Sequence, residues 1–134
     1  MSVKKVFLTW EDINSLLDNI YQQTKGQVEY VTGVPRGGTI IAILYSHRFG
    51  IEYMENLSNH YPSLLVLDDI ADTGETLKQL QYKFPQPLYA TLHYKKQSTF
   101  KPDYFAKHIG PEWIVYPWEK EDSKTIQGYL DTTK

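Results

Sequence analysis

The chain has 134 residues, 41% hydrophobic and 22% charged, with a formal net charge of -2. That balance excludes a disordered chain and a broad basic field that would gather nucleic acid. The absence of cysteine excludes disulfides, thiolate zinc sites and cysteine nucleophiles, and no apolar run approaches the roughly 18 to 20 residues of a membrane helix. The expectation is one domain over residues 1–134, cytoplasmic, with no signal peptide and no membrane or nucleic-acid partner. Eleven tyrosines and three tryptophans are many for this length, enough both to fill a core and to offer stacking surfaces.

Val6-Phe7-Leu8 reads as a short edge strand. Thr9 then suits an N-cap, with Glu11 and Asp12 in the first turn where the helix dipole favours acids. Ile13, Leu16, Leu17, Ile20 and Tyr21 share one face of a helix over about residues 10–24, ended by Lys25-Gly26. Val28 to Val34 is a β-branched strand, broken by Pro35-Arg36-Gly37-Gly38. Thr39 to Phe49 is a largely buried helix stopped by Gly50, and Ile51 to Met54 is a short strand. Leu64 to Leu67 is a buried strand; Glu75 to Lys83 is a helix stopped by Pro85 and Pro87. Leu88 to His93 and Trp113 to Tyr116 are further strands, and the tail over 119–134 is polar. Strands alternating with helices predict an α/β fold, a parallel twisted sheet flanked by helices. Ligands of such sheets bind beyond the carboxyl ends of the strands, where residues 35–38 and 68–76 both fall.

Asp72-Thr73-Gly74-Glu75-Thr76 joins a strand to a helix. The helix N-terminus offers free N–H groups, Gly74 allows close approach, and Thr73 and Thr76 add hydroxyls, so the turn suits a phosphate. It is equally a plain capped turn when taken alone, and it lacks the Walker pattern. Asp68 and Asp69 repel each other unless something pairs with them, such as a ribose diol or a Mg²⁺ ion carrying a polyphosphate. The plainer alternative is a solvated acidic loop. Gly33-Val34-Pro35-Arg36-Gly37-Gly38 can wrap a second anion, with the planar Arg36 guanidinium matched to phosphate oxygens, or it is a turn bearing a surface arginine. Combined, these parts suit a ribose with phosphate at one end and pyrophosphate at the other.

"VLDDIADTGETL" resembles the phosphoribosyl-pyrophosphate signature of type I phosphoribosyltransferases, and "GVPRGG" resembles their pyrophosphate loop. Bacterial xanthine-guanine phosphoribosyltransferases also share the Thr9-Trp10 helix start and the segment Trp113-Ile114-Val115-Tyr116-Pro117-Trp118, so the likeness runs from about residue 6 to 118. The resemblance implies that fold, with a small hood from terminal segments. It also implies transfer of a phosphoribosyl group from phosphoribosyl pyrophosphate to a 6-oxopurine (guanine, xanthine or hypoxanthine), in purine salvage, with Mg²⁺, in a homo-oligomer, either dimer or tetramer. Asp68 and Asp69 would hold the ribose hydroxyls and the metal. Asp72 would exchange the proton at purine N7, and residues 72–76 would hold the 5'-phosphate. Pro35, Arg36 and Gly37 would hold pyrophosphate on a loop that often carries a cis peptide. Lys95 would read the 6-oxo group, although Lys96 is adjacent, and Trp113 and Ile114 would sandwich the base or else simply pack the core.

Two features depart from the family. Only Glu55 to Ser63 separates Met54 from Leu64, too short for the long loop that closes over such sites, and Ser58 and Tyr61 have the wrong spacing for that loop's Ser-Tyr pair. Pro35 replaces a small polar residue and removes an N–H. The rival readings are therefore a catalytically weak or inactive module that binds phosphoribosyl pyrophosphate or a nucleotide, and a transferase acting on another acceptor such as a pyrimidine.

Overall fold

The computed structural model describes residues 4–120. Its elements run β1 (Lys5–Phe7), α1 (Trp10–Thr24), β2 (Tyr30–Gly33), α2 (Gly37–Phe49), β3 (Glu52–Tyr53), β4 (Leu64–Ala71), α3 (Glu75–Lys83), β5 (Leu88–Lys95), β6 (Tyr104–Ile109) and β7 (Trp113–Val115). Five strands form one parallel sheet in the order β3-β2-β4-β5-β6. β1 and β7 pair separately, also in parallel, bringing Phe7 opposite Val115, so β1 is no edge of the main sheet.

Helix α1 starts at the expected cap: the Thr9 hydroxyl accepts from Asp12 N, and Asp12 returns a bond from Thr9 N at 2.9 Å. Ile13, Leu17 and Ile20 of α1 meet Ile41, Ala42 and Tyr45 of α2 over Leu65, Leu67, Ala90 and Leu92 of the sheet. Leu77 of α3 covers the other face with Leu64, Val66 and Tyr89. The sheet is thus flanked on both sides, as the alternation of elements predicts.

Two boundaries and one whole strand differ from the expectation. The signature strand does not stop at Leu67; β4 continues to Ala71, so Asp68 and Asp69 lie inside the strand. It continues because β5 is also longer than its apolar run, pairing Ala71 with Tyr94. Helix α2 begins at Gly37 rather than Thr39, because residues without a Cβ can enter the crowded space against β4. β6 went unpredicted: Lys107 and His108 are exposed and blur the alternation that marks a strand.

Residues 55–63 take a short path. Met54 and Leu57 pack on the α3 face, Asn59 Oδ1 accepts from Gln86 N at 2.8 Å, and Tyr61 packs on Tyr30 at 5.0 Å between ring centroids. These partners tie the segment to the amino ends of β5 and β2, opposite the edge that carries residues 35–38 and 68–76. Ser58 caps His60 N at 3.1 Å. Of the expected polar tail, Glu119 and Lys120 are described, and Glu119 N donates to Tyr116 O at 2.9 Å. The rest of the tail lies outside the described residues. No helix among them is long and apolar enough to cross a membrane.

Candidate active site

At the carboxyl end of β4 the side-chain alternation inverts. Leu65 and Leu67 join the α1/α2 cluster while Leu64 and Val66 join the α3 cluster, yet beyond Asp69 it is Ile70 that faces the first and Ala71 the second. The β4–β5 pairing sets Asp68 beside Thr91 and Ile70 beside His93, and passes over Asp69. Here the carboxylates bind their own backbone: Asp69 N donates to Asp68 Oδ1 at 2.9 Å and Ile70 N to Asp69 Oδ1 at 2.8 Å. Asp69 Oδ2 is buried without a hydrogen-bond partner. Burial, and then the neighbouring Asp69 charge, hold the Asp68 carboxyl well above the usual carboxylate range. Burial likewise pushes Asp69 up to about 6.

The loop after β2 is pressed onto this pair. A Cβ on Gly37 would collide with Asp69 Oδ2, and one on Gly38 with Leu67 O while lying 3.3 Å from Asp68 Oδ1. The Pro35–Arg36 peptide bond is cis. Pro35 and Arg36 are exposed at the edge, with Gly37 buried behind them. Pro35, Arg36, Gly37, Asp68 and Asp69, from two strand ends, therefore share one locality.

The third part is the turn into α3. Gly74 caps the helix with φ 86°, a left-handed conformation that favours glycine, and its missing Cβ makes room for Ser98 and Phe100. Thr73 Oγ1 accepts from Glu75 N at 3.3 Å, and Thr73 O accepts from Thr99 N and Thr99 Oγ1 at 2.8 and 3.0 Å. Thr73, Glu75 and Thr76 are exposed around the helix N-terminus. Asp72, 6% exposed, sits between this turn and Lys95, whose Nζ lies 3.4 Å from Asp72 Oδ2. Lys95 is itself 2% exposed, whereas Lys96 faces solvent, so the geometry singles out Lys95 of the two. Gln97 Nε2 donates to Asp72 Oδ1 at 3.1 Å.

Trp113 is half-buried with Lys5 Nζ 6.0 Å from its ring, while the Ile114 side chain is buried in the α1/α2 core. Sequence reasoning missed Gln97, His93 and Tyr116. Gln97 follows a strand with no motif around it, and the other two read as core aromatics until the fold brings them behind Asp69.

No protein-family model matches the chain. Among curated proteins it is similar to the xanthine-guanine phosphoribosyltransferase of Nitratidesulfovibrio vulgaris, 26% identical over an alignment of 144 positions that covers 88% of this chain and 87% of the relative. Among solved structures it is similar to a purine phosphoribosyltransferase from Pyrococcus horikoshii, with TM-score 0.72, 25% identity and coverage of 87% and 95%. It also resembles the Helicobacter pylori xanthine-guanine-hypoxanthine phosphoribosyltransferase, with TM-score 0.69, 26% identity and coverage of 87% and 93%. These likenesses cover most of each chain, and with the parallel sheet flanked by helices they identify the protein as a type I phosphoribosyltransferase, an enzyme.

Proposed function

We propose that the protein transfers a 5-phosphoribosyl group from phosphoribosyl pyrophosphate to a purine, specifically a 6-oxopurine. The observation that carries the specificity is the Lys95–Asp72 pair, a buried cation and carboxylate 3.4 Å apart. A 6-oxopurine displays O6, an acceptor, beside N7 on one edge, whereas adenine places an amino donor where O6 would be. Lys95 can only donate, so it suits O6 and opposes the adenine amino group. Asp72 then accepts the N7 proton of the base as N9 attacks C1 of the ribose. The N9–C1 bond forms, the C1–oxygen bond to pyrophosphate breaks, and its electron pair leaves with pyrophosphate.

The remaining residues take roles by position. Residues 72–76 present the N-terminus of α3 to the 5'-phosphate. Arg36, with Pro35 and Gly37, holds the pyrophosphate as a planar, permanently charged donor. Asp68 and Asp69 accept from the ribose hydroxyls. Trp113 closes over the base, and Ile114 anchors its segment in the core.

Asp68 and Asp69 also suit Mg²⁺. The unpartnered Asp69 Oδ2 is a hard oxygen donor, and the carboxyls, Asp69 buried and Asp68 half-buried, are desolvated at a cost that a cation relieves. Among the described residues no cluster of three or more His, Cys, Asp or Glu could hold a metal. That agrees with an ion that keeps its waters and shares ligands with substrate phosphates. When bound, it neutralises charge on the leaving pyrophosphate.

Assembly as a homo-oligomer belongs to the same reading. It is supported by exposed Phe7, Trp10 and Ile43, and a monomer mass by light scattering would oppose it. A second reading, a module that binds phosphoribosyl pyrophosphate without turnover, is favoured by one feature, the path of residues 55–63 away from the site edge.

Product affinity tests the base specificity. In the presence of Mg²⁺, GMP should bind at least about tenfold more tightly than AMP, since O6 accepts from the buried lysine whereas an amino group, itself a donor, cannot. Equal affinities would overturn the 6-oxopurine assignment.

A further inference from the structure

Behind the acid pair lies a buried polar contact that the reaction itself does not use. Where the β4–β5 pairing passes over Asp69, the Asp69 carbonyl accepts from the Tyr116 hydroxyl at 3.1 Å. The same hydroxyl lies 2.8 Å from His93 Nδ1. Its single proton goes to the carbonyl, so His93 must donate from Nδ1 and is the Nδ1–H tautomer. Burial and then the charge of Lys107 keep this imidazole neutral, lowering it to about 4. Tyr116 is 1% exposed, its ring stacks on Trp118 at 5.0 Å and 6°, and its N–H donates to Glu119 Oε1 at 3.1 Å. Three segments thus meet at one oxygen: β5 through His93, the hood through Tyr116, and β4 at its irregular residue.

A phenylalanine would fill the same space and stack as well. Burying a hydroxyl and an imidazole instead is unfavourable unless both are hydrogen-bonded, and here the chain of bonds ends on the Asp69 carbonyl. What they fix is the backbone of Asp69, whose conformation aims both carboxylates.

We propose that His93 and Tyr116 are positioning residues that hold Asp69, and thereby set the affinity of the acid pair for phosphoribosyl pyrophosphate with Mg²⁺. The ligand half of this inference rests on the function proposed above; the positioning half does not.

The test is Tyr116→Phe, read three ways. In the free protein, amide hydrogen exchange of peptides covering residues 66–72 should rise at least about tenfold, with α1 peptides unchanged, as loss of one buried bond loosens that turn alone. By calorimetry without a base, affinity for phosphoribosyl pyrophosphate with Mg²⁺ should fall about five- to twentyfold. In turnover, KM for that substrate should rise with kcat and base KM within about twofold. Unchanged exchange over 66–72, or a uniform rise across the chain with a matching loss of Tm, would overturn positioning and leave only packing. If the unaltered protein fails to bind phosphoribosyl pyrophosphate, the proposed function falls, and the exchange result alone decides whether the hydroxyl positions Asp69. Should Tyr116→Phe not fold, His93→Leu removes the hydroxyl's other partner and is read by the same exchange measurement, with the same outcomes.

Discussion

Replacing Asp69 by asparagine should leave the free protein at least as stable as before at pH 7.5, although the residue is 3% exposed. Burial raises the Asp69 carboxyl from 3.8 to about 6. The folded state therefore holds a proton that the unfolded state has already released, and stability falls as pH rises from about 4 to 6, staying low above that. At about 1.4 kcal/mol per unit the penalty is about 3 kcal/mol at pH 7.5 and about half of that at pH 5. The amide oxygen of the substituted side chain keeps the bond from Ile70 N. Its amide nitrogen takes the place of the unpartnered Oδ2 and costs about 1 to 3 kcal/mol as a buried donor without an acceptor. The balance runs from no change to a gain of about 2 kcal/mol at pH 7.5, shrinking or reversing at pH 5. Urea unfolding followed by tryptophan fluorescence, without divalent cations or phosphate, measures it. A destabilisation beyond about 2 kcal/mol at pH 7.5, or a difference from the unaltered protein that does not change between the two pH values, would refute the reasoning.

Other substitutions separate binding from folding. Arg36→Ala should leave Tm unchanged, because the side chain is exposed, yet weaken phosphoribosyl pyrophosphate binding about ten- to a hundredfold by calorimetry. Gly38→Ala drives a methyl into the Leu67 carbonyl, which cannot move aside, and should lower stability by about 1 to 3 kcal/mol. Gly37→Ala meets the Asp69 carboxylate instead, so thermal unfolding should shift less than for Gly38→Ala while substrate binding is lost. Lys95→Met leaves Asp72 buried without its cation and should cost up to about 3 to 5 kcal/mol by chemical denaturation, with KM for the base rising in whatever folded protein remains.

The parts of the site most legible in the sequence were those set by local chemistry. Thr73-Gly74 between a strand and a helix was legible as the turn into α3, because Gly74 takes a left-handed conformation that few residue types allow. The helices and most strands followed from periodicity. What the sequence concealed depends on strands far apart in the chain. Asp68 and Asp69 looked as if they followed the strand, because carboxylates rarely lie within one; only pairing with the extended β5 carries β4 through to Ala71. β6 was hidden by exposed Lys107 and His108 near its end, and its place is set by pairing with β5. The resemblance favoured Lys95 over the adjacent Lys96, but that the first is buried and the second exposed was not legible. The shortness of residues 55–63 was plain, but their course toward Gln86 and Tyr30 was not.

The central claim is tested most directly by pyrophosphate release from phosphoribosyl pyrophosphate with Mg²⁺, supplying guanine, xanthine, hypoxanthine, adenine, uracil and orotate in turn. The account predicts release with one or more of the first three, little with the others, and its loss in Asp72→Asn. No release with any base, or release indifferent to the base, would contradict it.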